Sequence, residues 1–300
     1  VLCGAISAVD IALWDIKGKY FSAPVWELLG GNCRDKIRLH LLMGQPSPDA
    51  MYKAAKDAVA EGFTAIKFDP LVDGYQDMTQ DQLIKSVCEM VNAAREGGGA
   101  GLDLVVEVHR KLTPMNAVAL AGALTKFNLY FIEDPIQIDS IISQAEMAKR
   151  INIPIGNGER LTTIWEFREL LETGGPQYVR PDVALAGGLT HCKKISAIAE
   201  SYHSAVVVHN FLGPLVTAAS LHLDTCIPNF ITQEYTKDDE SDRYAYFTTS
   251  YRRQGGYIPI PEAPGLGVEL DECLLSQTPF ESMNTTGMPI REDGSLAYSV

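Results

Sequence analysis

"VVEVHRKL", residues 105–112, is a run of β-branched residues that ends in a carboxylate and an imidazole two residues apart. Because successive side chains of a β-strand point to opposite faces, we expect Glu107 and His109 to share one face, with Val106 and Val108 on the other. Two polar groups on one face of an apolar strand indicate a functional site. The alternative is a strand end that has simply reached water.

Seven further stretches of the 300-residue chain share this apolar pattern, and segments of helical period separate them. The predicted strands are KIRLHLLMG (36–44), FTAIKFDP (63–70), DLVVEVH (103–109), LYFIEDP (129–135), IPIGNGE (153–159), QYVRPDV (177–183), AVVVHN (205–210) and NFITQEY (229–235). Alternating strands and helices predict an α/β fold with a parallel sheet, and eight units favour closure into a (β/α)8 barrel. An open doubly wound sheet is the alternative, but no G-x-G-x-x-G follows the first strand.

Composition narrows the class of partner. With 25 Lys+Arg against 38 Asp+Glu, the formal charge of −13 disfavours nucleic acid and anionic membranes as partners. It still allows a small anionic substrate if a metal ion reverses the local charge. The six cysteines are scattered without a C-x-x-C pair, which is typical of reduced thiols in a cytoplasmic protein. No apolar run approaches the roughly 18 residues of a transmembrane helix, and the first residues lack a signal-peptide pattern.

In a parallel barrel, functional groups lie at the C-terminal ends of the strands. Polar residues at these predicted ends are Lys67, Asp69, Glu107, His109, Glu133, Asp134, Glu159, Asp182, His209, Asn210 and Glu234. Glu107, Glu133 and Glu159 follow one another at even spacing, 26 residues apart. Three carboxylates in one small volume repel each other unless a cation neutralises them, and Mg²⁺ prefers oxygen ligands of this kind. A solvated rim residue is the alternative for any one of them.

Proton-transfer groups are expected beside these carboxylates. Asp182 and His209 close neighbouring strands, and an Asp beside a His fixes its tautomer and raises its basicity, which suits a general base. The alternative is a histidine at the edge of the core that is satisfied by a local carbonyl. We expect His109 to lie across the barrel mouth from His209, so that two imidazoles serve as acid and base. Lys67 is either a third proton carrier or a partner for the acidic cluster.

Long stretches of the chain carry a recognisable pattern. They include GAISAVDIALWDIKGKYFSAPVWELLGG (4–31), EVHRKLTP (107–114), YFIEDP (130–135), IPIGNGERL (153–161), RPDVALAGGLTHCKKISAIAE (180–200), VVVHNFLGPL (206–215) and PEAPGLGVEL (261–270). With these motifs the chain resembles the enolase superfamily, mandelate racemase subgroup, and within it the sugar-acid dehydratases of the D-galactonate type. The resemblance runs from the first residues to beyond residue 265.

The resemblance implies a metal site and an activity. It implies that Glu107, Glu133 and Glu159 bind Mg²⁺, the expected cofactor, which would hold the substrate carboxylate. The implied reaction removes water from a galactonate-like aldonic acid to give a 2-keto-3-deoxy acid, which is the chemistry of a lyase. The implied partner is a small sugar acid, and the protein is expected to be a cytoplasmic homo-oligomer.

The same resemblance implies roles for four further side chains. His209, oriented by Asp182, matches the base that removes the proton next to the carboxylate. His109 matches the acid that assists departure of the neighbouring hydroxyl as water. Glu234 matches a residue that hydrogen-bonds the intermediate near its carboxylate.

Two departures from the family pattern affect this interpretation. Glu107 stands where the first metal ligand is typically Asp, and the extra methylene affects where the ion and substrate sit. The second strand carries KFD, with Asp69 in place of the second Lys of the K-x-K found in two-base racemases. That difference favours β-elimination over racemisation. A cycloisomerase that opens a 3,6-anhydro sugar acid through the same enediolate is one alternative, and a non-catalytic barrel that acts as a binding or scaffold subunit is another.

The resemblance also predicts the domain organisation. Residues 1–30 match the last helix of an α+β capping domain, residues 31–250 the catalytic barrel, and residues 251–300 a C-terminal segment that returns to the capping domain. The remainder of such a capping domain is not found in this sequence, so either residues were left out of the sequence or the protein is a fragment. Without that remainder, water would reach the metal and catalysis would be poor.

Overall fold

The computed structural model describes residues 2–279 and 290–297. The α-helices are α1 Leu2–Phe21, α2 Val25–Leu28, α3 Pro48–Ala60, α4 Gln80–Gly98, α5 Pro114–Leu124, α6 Ile141–Ala148, α7 Ile164–Glu172, α8 Gly188–Ser201, α9 Pro214–Cys226 and α10 Glu272–Gln277. The strands are β1 Lys36–Met43, β2 Ala65–Phe68, β3 Asp103–Glu107, β4 Phe131–Glu133, β5 Ile155–Asn157, β6 Tyr178–Val179, β7 Ala205–Val206, β8 Gln233–Tyr235, β9 Phe247–Thr249, β10 Tyr257–Pro259 and β11 Glu269–Leu270. Short 3-10 turns cover Tyr75–Asp77, Thr125–Phe127, Asp238–Glu240 and Asp242–Tyr246.

The strands confirm the predicted (β/α)8 architecture. Strands β1 to β7 lie side by side in sequence order, and β8 pairs with β1. The first five are parallel, in a register that places Glu107 of β3 opposite Glu133 of β4. Parallel strands are buried on both faces, which is why Leu104, Val105 and Val106 are fully buried without alternation.

Four helices, α3 to α6, begin with an N-cap residue whose side chain accepts a backbone hydrogen bond. Ser47, Thr79, Thr113 and Ser140 each accept a backbone N–H from the first turn of α3, α4, α5 and α6. These side chains satisfy donors that a helix end leaves without partners. At Thr79 the cap is reciprocal: the Thr79 hydroxyl accepts the Gln82 N–H, and the Gln82 side-chain oxygen accepts the Thr79 N–H. The local sequence therefore sets where these four helices start.

The described chain forms two compact units. The first contains residues 2–39, 159–168 and 179–279, and the second contains residues 40–158, 169–178 and 290–297. In the first unit α1 packs against α8 and α2 packs against α9. In the second unit α4 packs against both α3 and α5, and it also contacts β3.

All eight predicted strands are present, but most are shorter than the apolar runs that predicted them. In the C-terminal segment a tight turn joins Gln254 to Tyr257. Its strand β10 pairs antiparallel with the start of β1, and the Leu266 N–H donates to Asp15 of α1 at 2.8 Å. The predicted domain boundaries stay a prediction, and the part of the C-terminal segment at 280–289 and 298–300 lies outside the described residues. No helix within the described residues is both long and apolar enough to cross a membrane.

Candidate active site

The ends of β3 and β4 bring two buried carboxylates together around one ammonium. The Lys67 Nζ on β2 lies 3.0 Å from Glu107 Oε2 and 2.7 Å from Glu133 Oε1. All three side chains are buried. Of the two roles considered for Lys67, this geometry is that of a partner for the acidic cluster.

Glu107 is held in its ionised form. Burial favours the neutral acid, but the charges of Lys67 and His109, together with the hydrogen bond that the His109 N–H donates, hold the pKa of Glu107 well below its usual range. A carboxylate that stays charged at neutral pH is available as a metal ligand.

The backbone corrects one expectation about His109. Strand β3 ends at Glu107, and His109 and Arg110 adopt left-handed conformations with φ of 51° and 61°. The His109 N–H donates to Glu107 Oε1 at 2.7 Å, and the Arg110 N–H donates to the Asp134 carbonyl at 2.7 Å. Because these bonds turn the chain out of the strand, simple alternation does not decide which way the His109 ring points. Left-handed conformations at non-glycine residues cost energy and concentrate at functional sites.

A second carboxylate faces the His109 ring. Asp69, just beyond β2, places Oδ2 2.8 Å from His109 Nδ1 and 2.6 Å from Lys111 Nζ. From the sequence, Asp69 was expected at a strand end and as a departure from K-x-K, without a partner, and Lys111 was not predicted as a site residue. The signal was available in part, because Asp69 is a strand-end residue two positions after Lys67.

Asp182 and His209 are adjacent, as their strand positions led us to expect. They form a parallel bridge, and His209 Nδ1 lies 2.7 Å from Asp182 Oδ2. The other ring nitrogen, Nε2, lies 3.3 Å from Glu159 Oε2. Burial opposes protonation of the ring, but Glu234, the hydrogen bond with Asp182 and the charge of Glu159 outweigh it and raise the pKa of His209 above its ordinary value. A neutral His209 is therefore a stronger base than a free imidazole.

Glu234 lies in a buried polar cluster that the sequence did not predict. Its Oε2 accepts a hydrogen bond from the Arg180 guanidinium and another from the Asn210 N–H at 3.1 Å. Arg180 is fully buried, and it stands two residues before Asp182. Its position at a strand end was the signal that could have identified it.

A further buried network stiffens the strand ends of the second unit. Arg110 Nη1 donates to Asp134 Oδ2 at 2.7 Å, and Asn157 Nδ2 donates to Asp134 Oδ1 at 2.8 Å. Arg110 and Asp134 follow closely after Glu107 and Glu133 in the chain. The network therefore restrains the segments that bear these two carboxylates.

Three carboxylates form a donor set that could hold a metal ion. Glu107 and Glu133 of the second unit are buried beside Lys67, and Glu159 of the first unit is buried with His209 Nε2 at 3.3 Å and Arg160 Nε at 3.7 Å. Carboxylate oxygens are the donors that a hard divalent cation prefers. The expected position of His109 across from His209 stays a prediction.

Comparisons with known proteins agree with this architecture. The family "Enolase C-terminal domain-like" matches residues 50–274, and the mandelate racemase / muconate lactonizing enzyme N-terminal domain matches residues 2–30. D-galactonate dehydratase of Ralstonia pickettii is 34% identical over 307 residues, covering 99% of this chain and 79% of the relative. D-gluconate/D-galactonate dehydratase of Picrophilus torridus is 33% identical over 282 residues, covering 93% of this chain and 72% of the relative.

Solved structures show the same fold. An enolase from Agrobacterium radiobacter, with bound Na and L-malate, superposes with a TM-score of 0.92 at 27% identity, over 99% of this chain and 79% of that one. A member of the enolase superfamily from Salmonella Typhimurium gives a TM-score of 0.87 at 30% identity, over 92% and 76% of the two chains. The chain therefore belongs to the enolase superfamily, in its mandelate racemase / muconate lactonizing enzyme family. Its curated relatives are dehydratases, and the chain is an enzyme of that hydro-lyase class.

Proposed function

We propose that this chain is a Mg²⁺-dependent dehydratase that converts a galactonate-like aldonic acid into a 2-keto-3-deoxy acid. The observation that supports it most directly is the buried His209–Asp182 pair, whose free ring edge lies beside a carboxylate of the candidate metal set. The names of the relatives supply the substrate class. The location in the cytoplasm and the homo-oligomeric state stay predictions.

The reaction begins with proton removal next to the substrate carboxylate. His209 Nε2 accepts the C2 proton, while Asp182 holds Nδ1 and stabilises the imidazolium that forms. The electron pair of the C2–H bond first passes onto the carboxylate group to give an enediolate, which can take a proton back at C2. In the next step this pair forms the C2=C3 double bond, and the C3–O bond breaks with its own pair. His109 donates a proton to the departing hydroxide, which leaves as water. The resulting enol rearranges to the 2-keto-3-deoxy acid.

The remaining polar groups balance charge in the site and orient the substrate. Lys67 favours the ionised form of Glu107 and pairs with Glu133, and Glu234, held by Arg180, accepts a hydrogen bond from the substrate near its carboxylate. A divalent cation held by Glu107, Glu133 and Glu159 would neutralise the substrate carboxylate and the negative charge that develops as the proton leaves.

Glu133→Gln tests the metal assignment. Loss of one carboxylate should weaken Mg²⁺ binding by about tenfold or more, measured by isothermal titration calorimetry. Glu146→Gln is the matched control, because Glu146 is an exposed carboxylate on α6 paired only with Lys149 among the contacts described. An unchanged Mg²⁺ affinity in Glu133→Gln would remove this residue from the ligand set.

The first test of function is a screen of purified protein with Mg²⁺ against aldonic, aldaric and anhydro sugar acids. Formation of a 2-keto acid is scored with a carbonyl reagent, and the product is weighed by mass spectrometry. A product lighter than its substrate by one water supports the dehydratase and identifies the acid. A product of unchanged mass points to the cycloisomerase, and metal binding with no turnover of any acid points to a non-catalytic barrel.

A further inference from the structure

Asp69, which stands where two-base racemases have the second Lys of K-x-K, accepts three hydrogen bonds. Its Oδ2 accepts hydrogen bonds from His109 Nδ1 at 2.8 Å and Lys111 Nζ at 2.6 Å, and its Oδ1 accepts the Leu71 N–H at 2.9 Å. Both carboxylate oxygens are therefore engaged, and three donors from different parts of the second unit fix the orientation of the group.

The His109 ring is restrained at two levels. Its backbone is fixed by the left-handed conformation and by the hydrogen bond to Glu107 Oε1. Its side chain is fixed by Asp69, because a carboxylate can only accept and so requires the proton on Nδ1. Nε2 is then the nitrogen left to exchange a proton with a substrate, and the His109 side chain is 29% exposed.

We propose that Asp69 is a positioning residue for His109, which it holds with Nδ1 toward the carboxylate and Nε2 toward the leaving group of the substrate. This inference rests on the proposed dehydratase function, in which His109 donates the proton that converts the departing hydroxide into water. Asp69 and His109 thus form a second His–Asp pair beside the Asp182–His209 pair. Asp69 fixes the ring orientation and thereby the nitrogen from which the proton leaves.

Lys111 keeps the Asp69 carboxylate in place. Its ammonium shares Oδ2 with the His109 ring and also lies 5.3 Å from the centroid of the Tyr75 ring. Asp69 therefore keeps one cationic partner throughout the reaction, whether or not His109 is charged. The carboxylate does not have to reorient when the ring gives up its proton.

Asp69→Asn tests the proposal with a near-isosteric change. Asn has a single acceptor oxygen and cannot accept hydrogen bonds from Leu71, His109 and Lys111 in the way the two carboxylate oxygens of Asp69 do. We expect kcat for elimination to fall by about tenfold to a hundredfold with KM changed less than about twofold. The C2 proton should still exchange with D2O at close to the wild-type rate of proton removal, because the His209 half of the reaction is intact.

Asp57→Asn is the matched control, because it removes the same charge from an exposed position on α3 where Asp57 pairs with Lys53. It should leave kcat, KM and C2 exchange unchanged. Equal losses of elimination and C2 exchange in Asp69→Asn would show a merely structural role and overturn the proposal. Unchanged elimination would overturn it as well.

The ¹⁵N chemical shifts of the His109 ring give a readout that does not need turnover. With histidine-labelled protein, and His109→Gln to assign the signal, Asp69→Asn should shift the ring away from the Nδ1–H tautomer, whereas Asp57→Asn should not. An unchanged tautomer would overturn the proposal. A changed tautomer in a protein that turns over no aldonate would support the positioning by Asp69 and count against the dehydratase function alone.

Discussion

The two His–Asp pairs have nearly the same hydrogen-bond length and very different surroundings. The side chains of His209 and Asp182 are 7% and 0% exposed, whereas those of His109 and Asp69 are 29% and 20% exposed. A buried pair interacts strongly because little water competes for it, and a half-exposed pair is weakened by solvent. The comparison teaches that burial sets how strongly a His–Asp pair interacts. In the proposed function the buried pair serves as the base, and the more accessible pair as the acid for the leaving group.

His209→Asn should produce the largest loss. Without the imidazole the C2 proton has no acceptor, and both elimination and C2 exchange should fall by about 10³-fold or more. The rates are measured by 2-keto acid formation and by deuterium incorporation at C2. Mg²⁺ binding should persist, and its loss in this variant would refute the assignment of His209 as the base.

His109→Gln should distinguish the contributions of the two His–Asp pairs to the reaction. Loss of the acid should slow elimination by about 10²-fold while C2 exchange continues. Elimination is followed by product mass and exchange by NMR in D2O. If exchange stopped together with elimination, the division of labour between the two histidines would be wrong.

His222 provides a further comparison with His109 and His209. It is buried, and within residues 2–279 and 290–297 no carboxylate is hydrogen-bonded to its ring. His222 on α9 accepts the Trp26 N–H on Nδ1 at 3.2 Å, and burial lowers the pKa of His222 to about 4. The folded state resists protonation below the ordinary histidine pKa of about 6.5, whereas the unfolded chain does not. Stability should therefore fall as the pH drops from about 6.5 toward 4, by about 2 kcal/mol between pH 7 and pH 5.

Denaturant unfolding at these two pH values measures the effect. His222→Asn keeps an acceptor near the Trp26 N–H but cannot take up a proton, so this variant should lose about 2 kcal/mol of the pH dependence. The same pH dependence in wild type and variant would show that other groups cause it.

Much of the site could be predicted from local pattern. Apolar runs of strand length located all eight parallel strands, because burial on both faces demands continuous apolar sequence. A carboxylate at the end of such a run must lie at the catalytic edge of a barrel, and Glu107 and Glu133 do close β3 and β4. Asp182 and His209 were expected to be neighbours for the same reason. The roles of these residues rest on the family resemblance and stay predictions.

The sequence by itself determined which residues reach the ends of the strands, since continuous apolar runs and eight repeated units are local properties of the chain. Only the tertiary structure decided which of them pair. Asp69 meets His109 40 residues away, and Arg180 meets Glu234 54 residues away, through strand register and the left-handed turn at His109. No glycine marks that turn. The physical reason is that buried charges are stabilised by specific partners at hydrogen-bond distance, and folding alone brings such partners together.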